Sequence, residues 1–161
     1  MINHLRIDNR LIHGQVAVVW RTTLEADAII VCNDKVAADP IQRMALPLSV
    51  AGEKVLIFTI DEMVEYDKQN PDEKKFVICK TASDCLELLS KGVDIDVINV
   101  GNQPPEPGTA YKMLNKSISA TKEEAEQYRE IARLHGGHLE SQMVPSYNKE
   151  DVLALLKKAG L

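Results

Sequence analysis

Short continuous apolar runs alternate along the chain with stretches in which apolar residues recur at three- and four-residue spacing. INHLRID (2–8) alternates near its end and predicts a strand. In GQVAVVWRTTL (14–24), Val16, Val19, Trp20 and Thr23 fall at helical spacing. DAIIVCN (27–33) is a continuous apolar run, the pattern of a buried parallel strand. Asp39-Pro40 supplies an N-cap and a first helical position, with Ile41, Met44 and Ala45 continuing an apolar stripe until Pro47 ends the helix. KVLIFTI (54–60) predicts a third strand, and Asp61 an N-cap for the helix DEMVEYDKQ. KKFVICK (74–80) is the fourth, followed by a helix that Thr81 or Ser83 caps and Gly92 stops. DIDVINVG (94–101) is the fifth.

Four strand–helix units followed by a fifth strand predict an α/β fold, an open, mostly parallel β-sheet with helices on both faces. After Gly101 the pattern changes. GNQPPEPGTAY is a proline-rich loop, and YKMLNKSISA reads as a hairpin around Asn115-Lys116. TKEEAEQYREIARLHGG predicts a helix with acids in its first turn and glycines at its end. HLESQMV is a last short strand, and KEDVLALLKKAG a closing helix. With no internal repeat and no long linker, residues 1–161 are expected to form a single domain.

Composition narrows the function classes. The 161 residues are 45% apolar and 27% charged, enough to bury a real core. A formal net charge of -5 argues against nucleic acid as a partner. No apolar run approaches a membrane span and no signal-peptide core is present, so a cytoplasmic protein is expected. Cys32, Cys79 and Cys85 lack metal or redox spacing, and the two in the apolar runs AIIVC and FVIC, Cys32 and Cys79, read as small buried hydrophobes. His135 and His138 straddle Gly136-Gly137 with too few companions for a metal site, and no cofactor is expected.

The stretch that carries chemistry is RLIHGQV (10–16). In open parallel sheets, ligands bind in the loops at the carboxyl ends of strands. His13 falls in the first such loop, with Gly14 opening the helix, so that free backbone N–H groups and the helix dipole favour an anion. Arg10 adds a planar, permanently charged fork suited to phosphate. Asp8 could hold one imidazole nitrogen and leave the other free to attack. Three readings stay open on this chemistry: a helix cap beside a surface ion pair, an acid–base histidine, and a histidine that accepts and releases a phosphoryl group. No GxxxxGK[ST] loop is present, so a nucleotide is not the evident donor.

RIDNRLIHGQVAVVW resembles the N-terminal signature of the IIB component of the mannose/fructose/sorbose class of sugar phosphotransferase systems, R-x-D-D-R-L-I-H-G-Q-V. Arg6, Asp8, Arg10, Leu11, Ile12, His13, Gly14, Gln15 and Val16 match, and Asn9 departs from a common aspartate. The tail is also similar, through SISATKEEAEQYREI and the QMVP turn (142–145). The resemblance implies a parallel sheet flanked by helices and a phosphohistidine at His13, attached through Nδ1. It implies a phospho-IIA protein as donor, and membrane IIC and IID components holding the incoming sugar as the next station. By the same resemblance Arg10 steadies the phosphoryl group and Asp8 orients the loop. No fused IIA region is expected, and the apolar content leaves room for a homodimer.

Phosphate contacts are expected from Gly14 and Gln15 in the first loop, from Thr81 and Ser83 after the fourth strand, and from Gly101 and Asn102 after the fifth. Capping and tight turns explain the residues after the fourth and fifth strands equally well. QPPEPG could frame a IIA docking surface or be a stiff connection. Two other classes compete. A receiver-like domain phosphorylated on aspartate would use Asp61 and Thr81, but it wants clustered acids after the first strand and a lysine after the fifth, where this chain has Asp8 and Gly101-Asn102. A small metabolic enzyme would use His13 as an acid–base group without protein partners.

Overall fold

The computed structural model describes residues 1–161. In chain order its first elements are β1 (Ile2–Asp8), α1 (Val16–Leu24), β2 (Ala28–Cys32), α2 (Asp34–Ala38), α3 (Pro40–Leu48) and β3 (Val55–Phe58). Then come α4 (Ile60–Gln69), β4 (Lys75–Cys79), α5 (Ala82–Ser90) and β5 (Ile95–Asn102). The remainder is β6 (Tyr111–Met113), β7 (Ser119–Thr121), α6 (Lys122–Leu134), β8 (Glu140–Ser141), β9 (Glu150–Asp151) and α7 (Val152–Ala159). No helix is long and apolar enough to cross a membrane.

Seven strands form one sheet in the order β3-β2-β4-β1-β5-β8-β9, parallel except for β9, while β6 and β7 pair as a separate antiparallel hairpin. The strands are apolar on both sides because both faces are covered. Ile29 and Val31 of β2, with Phe76 and Ile78 of β4, pack against α1 and α2 through Ala17, Trp20, Val36 and Ala37. The alternate residues Ile30, Cys32, Val77 and Cys79 pack against α4 to α7 through side chains such as Met63, Leu88, Tyr128 and Leu156. The expected architecture is therefore the observed one, four strand–helix units and a fifth strand. Cys32, Cys79 and Cys85 are buried free thiols, and burial pushes the Cys85 thiol up, away from the thiolate.

Several details differ from the sequence expectation. α1 starts at Val16, not Gly14, because Gly14 has φ +49 and cannot lie inside a right-handed helix. α4 is capped by Thr59, whose side chain accepts from the Glu62 N–H while Glu62 answers the Thr59 N–H; Asp61 lies in the first turn. Pro47 sits inside the last turn of α3, near the helix end, and does not stop it. The α3 stripe faces outward: Ile41, Met44 and Leu48 are exposed and no α3 residue is buried. α2 and β9 were not expected at all.

β1 runs through the middle of the sheet, and its alternation places His4, Arg6 and Asp8 on the α1 side. The His4 ring stacks on Trp20 at 4.8 Å and meets Phe76 edge-on at 5.8 Å. Burial, and then the charges of Arg6 and Lys149, bring its pKa down from 6.5 to about 3. Between those values the unfolded chain binds a proton that the folded chain refuses. Stability is thus full above the unfolded value and is lost as pH falls toward 3, at up to about 1.4 kcal/mol per pH unit. Urea unfolding of His4→Leu between pH 7 and pH 4 should show a shallower loss than the parent. An equal slope in both would contradict this assignment.

Candidate functional site

The helices leaving two neighbouring strands go to opposite faces: α1, after β1, packs in one core and α5, after β4, in the other. That divergence opens a crevice at the carboxyl ends of the central strands, where open α/β sheets bind ligands. The strand ends and loops after β1, β4 and β5 lie at this edge, and the expected phosphate-site residues belong to them or to the helix starts that follow.

The first loop is built in two halves. Leu11 and Ile12 are buried, packed with Ala17 and Trp20, and anchor the loop to the core. His13, Gly14 and Gln15 stand exposed. Two left-handed residues, Leu11 at φ +59 and Gly14 at φ +49, bracket the histidine. Leu11 tolerates a costly backbone region for a branched side chain because its burial fixes it there. The His13 carbonyl accepts from the Val16 N–H at 3.2 Å, closing the turn into α1. The result is an accessible imidazole on a loop with a rigid base.

Asp8 and Arg10 form the electrostatic half. Arg10 donates from Nε to Asp8 Oδ1 and from Nη2 to Oδ2, each at 3.2 Å, and its backbone N–H reaches Oδ1 at 3.0 Å. Arg6 Nε donates to the same Oδ2 at 3.2 Å. The carboxylate is thus taken up by two arginines and one amide. It does not pair with the His13 ring, as the sequence reading allowed, because both its oxygens already serve guanidinium groups. Two guanidiniums share one carboxylate, leaving a net positive charge beside the loop, the sign a phosphoryl group needs.

Arg6 is the residue that sequence reasoning passed over. It is 1% exposed, with its guanidinium 5.5 Å from the Trp20 ring centroid. Its Nη1 donates to the Gln142 carbonyl at 2.8 Å. Burial pulls its pKa down from the ordinary value while Asp8 pushes back, and a guanidinium stays charged through such a contest. The segment after β8 is held to the same place by Asn99 Nδ2, 3.2 Å from the Gln142 carbonyl, and by Trp20 Nε1, 3.2 Å from the Met143 carbonyl. The signal available in sequence was an arginine flanked by Leu5 and Ile7 in a central strand, a place where a charge needs partners.

The other candidates divide. Thr81 caps α5: its hydroxyl accepts from the Asp84 N–H at 3.2 Å. The Lys80 and Thr81 N–H groups both donate to Asp84 Oδ2, at 3.0 and 3.1 Å, so a carboxylate from this chain already takes the anion position there. Ser83 is exposed in the first turn of α5 and is not the cap. With Asn9, Gln103, Pro104 and Glu106, Thr81 and Ser83 line a cleft of about 270 Å³ that neither Arg10 nor His13 reaches. Asn102 pairs with Asp8, and its carbonyl accepts from the Asn9 N–H at 2.8 Å. Gly101 is buried against Arg6, and a Cβ there would lie 2.2 Å from the guanidinium carbon, so arginine fills the space in which phosphate was expected. His135 ends α6 with its ring nitrogens against the carbonyls of His138, Ile95 and Asp96, a structural clasp.

The family described as "PTS system sorbose subfamily IIB component" matches residues 2–161. The chain is 34% identical over 151 residues to the PTS system sorbose-specific EIIB component of Klebsiella pneumoniae, covering 92% of this chain and 90% of that protein. It is 33% identical to the N-acetylgalactosamine-specific phosphotransferase enzyme IIB component 1 of Escherichia coli K12, over 91% of this chain and 93% of that one. Among solved structures, the IIBSor domain of the sorbose permease from Klebsiella pneumoniae superposes with a TM-score of 0.89 at 32% identity, covering 98% of this chain and 97% of that domain.

Proposed function

Because this chain belongs to the sorbose subfamily of phosphotransferase-system IIB components, we propose that it is a cytoplasmic phosphocarrier with His13 as the residue that is phosphorylated. A phospho-IIA protein donates, and the phosphoryl group passes on to a sugar held by membrane IIC and IID components, with which this protein associates peripherally. The observation that carries the reading is the exposed His13 on a loop whose anchored base holds Arg10 against Asp8. A ring nitrogen of His13 attacks the phosphorus of the donor phosphohistidine. One phosphorus–nitrogen bond forms as the other breaks, and the donor ring regains the proton that the His13 ring gives up. No redox step and no nucleotide is involved, so positioning and charge carry the reaction.

Arg10 has one guanidinium nitrogen, Nη1, outside its contacts with Asp8, and that nitrogen is the group offered to the phosphoryl oxygens. Arg10→Ala should slow acceptance from phospho-IIA by roughly 100-fold, the scale of losing one charge-stabilising donor. The residue is part-exposed, so thermal unfolding should shift little. A variant that transfers at the parent rate would remove Arg10 from the chemistry.

The sugar class proposed is mannose, fructose, sorbose or an amino sugar, since relatives at similar identity carry the names of different sugars. The discharge half of the reaction tests it. Charged protein is mixed with membranes bearing IIC and IID components of one relative and that relative's sugar. Loss of the protein's phosphoryl group with matching gain of sugar phosphate is expected. Retention of the group with every such pair would count against a carrier role.

A further inference from the structure

β1 and β5 do not pair evenly. Arg6 lies opposite Asn99 and Ile7 opposite Val100, but Asp8 lies opposite Asn102. Gly101 is the extra residue of a bulge, the device by which a strand re-aims a side chain next to a site. Its backbone does not need glycine, for it is absent from the positive-φ positions. What it needs is space. A Cβ at Gly101 would fall 2.2 Å from Cζ and Nη2 of Arg6 and 2.6 Å from Nε. The guanidinium has nowhere to retreat: Trp20 stacks beside it, Asp8 takes Nε, and the Gln142 carbonyl takes Nη1. Its Nη2 is buried without a hydrogen-bond partner, the mark of a group held in place by the shape of its surroundings.

We propose that Gly101 is a positioning residue: its bulge is the seat of the Arg6 guanidinium, which fixes Asp8 and through Asp8 the posture of Arg10. The inference deepens the phosphocarrier reading and rests on it for its kinetic consequence. The chain of contact runs from Gly101 to Arg6, from Arg6 Nε to Asp8 Oδ2, and from both Asp8 oxygens to Arg10. Residues 95 positions apart in sequence thus set one charge. Arg6 Nη1 and Asn99 also hold the Gln142 carbonyl, so the segment after β8 is registered by the same group.

The test uses Gly101→Ala, Arg6→Lys and the double variant, each checked for folding by thermal unfolding. Gly101→Ala is expected to accept phosphate from phospho-IIA on the order of tenfold more slowly at saturating donor, with KM little changed, since donor docking is untouched while the geometry of Arg10 is not. The double variant should be about as slow as the slower single one, because both changes act through one group. A folded Gly101→Ala with parent kcat, or losses that multiply in the double variant, would overturn the proposal. Should Gly101→Ala fail to fold, Arg6→Lys alone decides: it keeps the charge but cannot serve Asp8 and Gln142 together, and a parent rate would overturn the proposal. A readout independent of phosphate separates this from the function itself. The Arg10 Nε–H resonance should move in Gly101→Ala although the nearest neighbours of an added Cβ are atoms of Arg6; an unmoved resonance refutes the coupling even in a protein that accepts no phosphate.

Discussion

His13→Ala should take up no phosphoryl group from phospho-IIA, while its thermal unfolding matches that of the parent. The two halves of that expectation come from separate features. Loss of acceptance follows from chemistry, for no other imidazole can substitute: His4 is buried, and His135 and His138 lie across the molecule against β5 and β8. Retained stability follows from position. His13 is exposed, its contribution to the turn comes from its backbone carbonyl, and the loop is anchored by Leu11 and Ile12 instead. A surface truncation of this kind stays within about 0.5 kcal/mol. A His13→Ala protein that unfolds early would mean that the ring is part of the loop's structure.

The second large effect is on stability. Asp8→Ala should destabilise the fold by about 3–5 kcal/mol, the scale for removing one partner of a buried ion pair. Asp8 and Arg6 side chains are 2% and 1% exposed, so truncating the carboxylate strands a guanidinium between Trp20 and Gly101 with only a carbonyl to face. Arg10, more exposed, would swing into water at little cost. Asp8→Asn should fall between, since the amide keeps an acceptor for one arginine and presents a donor to the other. Urea unfolding with intact amplitude measures both. A loss below about 1 kcal/mol for Asp8→Ala would show that Arg6 does not depend on this carboxylate.

Much of this architecture is legible along the chain because its causes are local. AIIVC and FVIC are apolar without alternation, which only strands covered on both faces sustain. Asp39-Pro40 marks a helix start by cap chemistry alone, and the structure puts α3 there. The short elements escape for the opposite reason. α2 has five residues and β9 two, too few to show a period. The outward face of α3 escapes as well: Ile41 and Met44 have helical spacing, but spacing says nothing about which side meets the core.

At the site, the motif itself points to His13, Arg10 and Asp8, but it does not say which of its charged residues pair with one another. Arg6 and Arg10 take both carboxylate oxygens, which a histidine five residues on would otherwise claim. Gly101 reads in sequence as a turn glycine near phosphate, because its real neighbour is an arginine on another strand. Thr81 reads as a phosphate contact until Asp84 is seen to occupy the N–H groups around it. Only the Gly101 contact crosses the sheet; the Asp8 and Asp84 contacts join near neighbours, and there the sequence leaves open which of several possible partners each carboxylate takes.

The measurement that bears most directly on His13 as the phosphorylated residue is the intact mass of the purified protein after incubation with a IIA protein charged from phosphoenolpyruvate, taken beside that of His13→Ala. One added phosphoryl group, labile in acid, is expected on the parent and none on the variant. A phosphoryl group that survives acid, or one that appears equally on His13→Ala, would contradict that assignment.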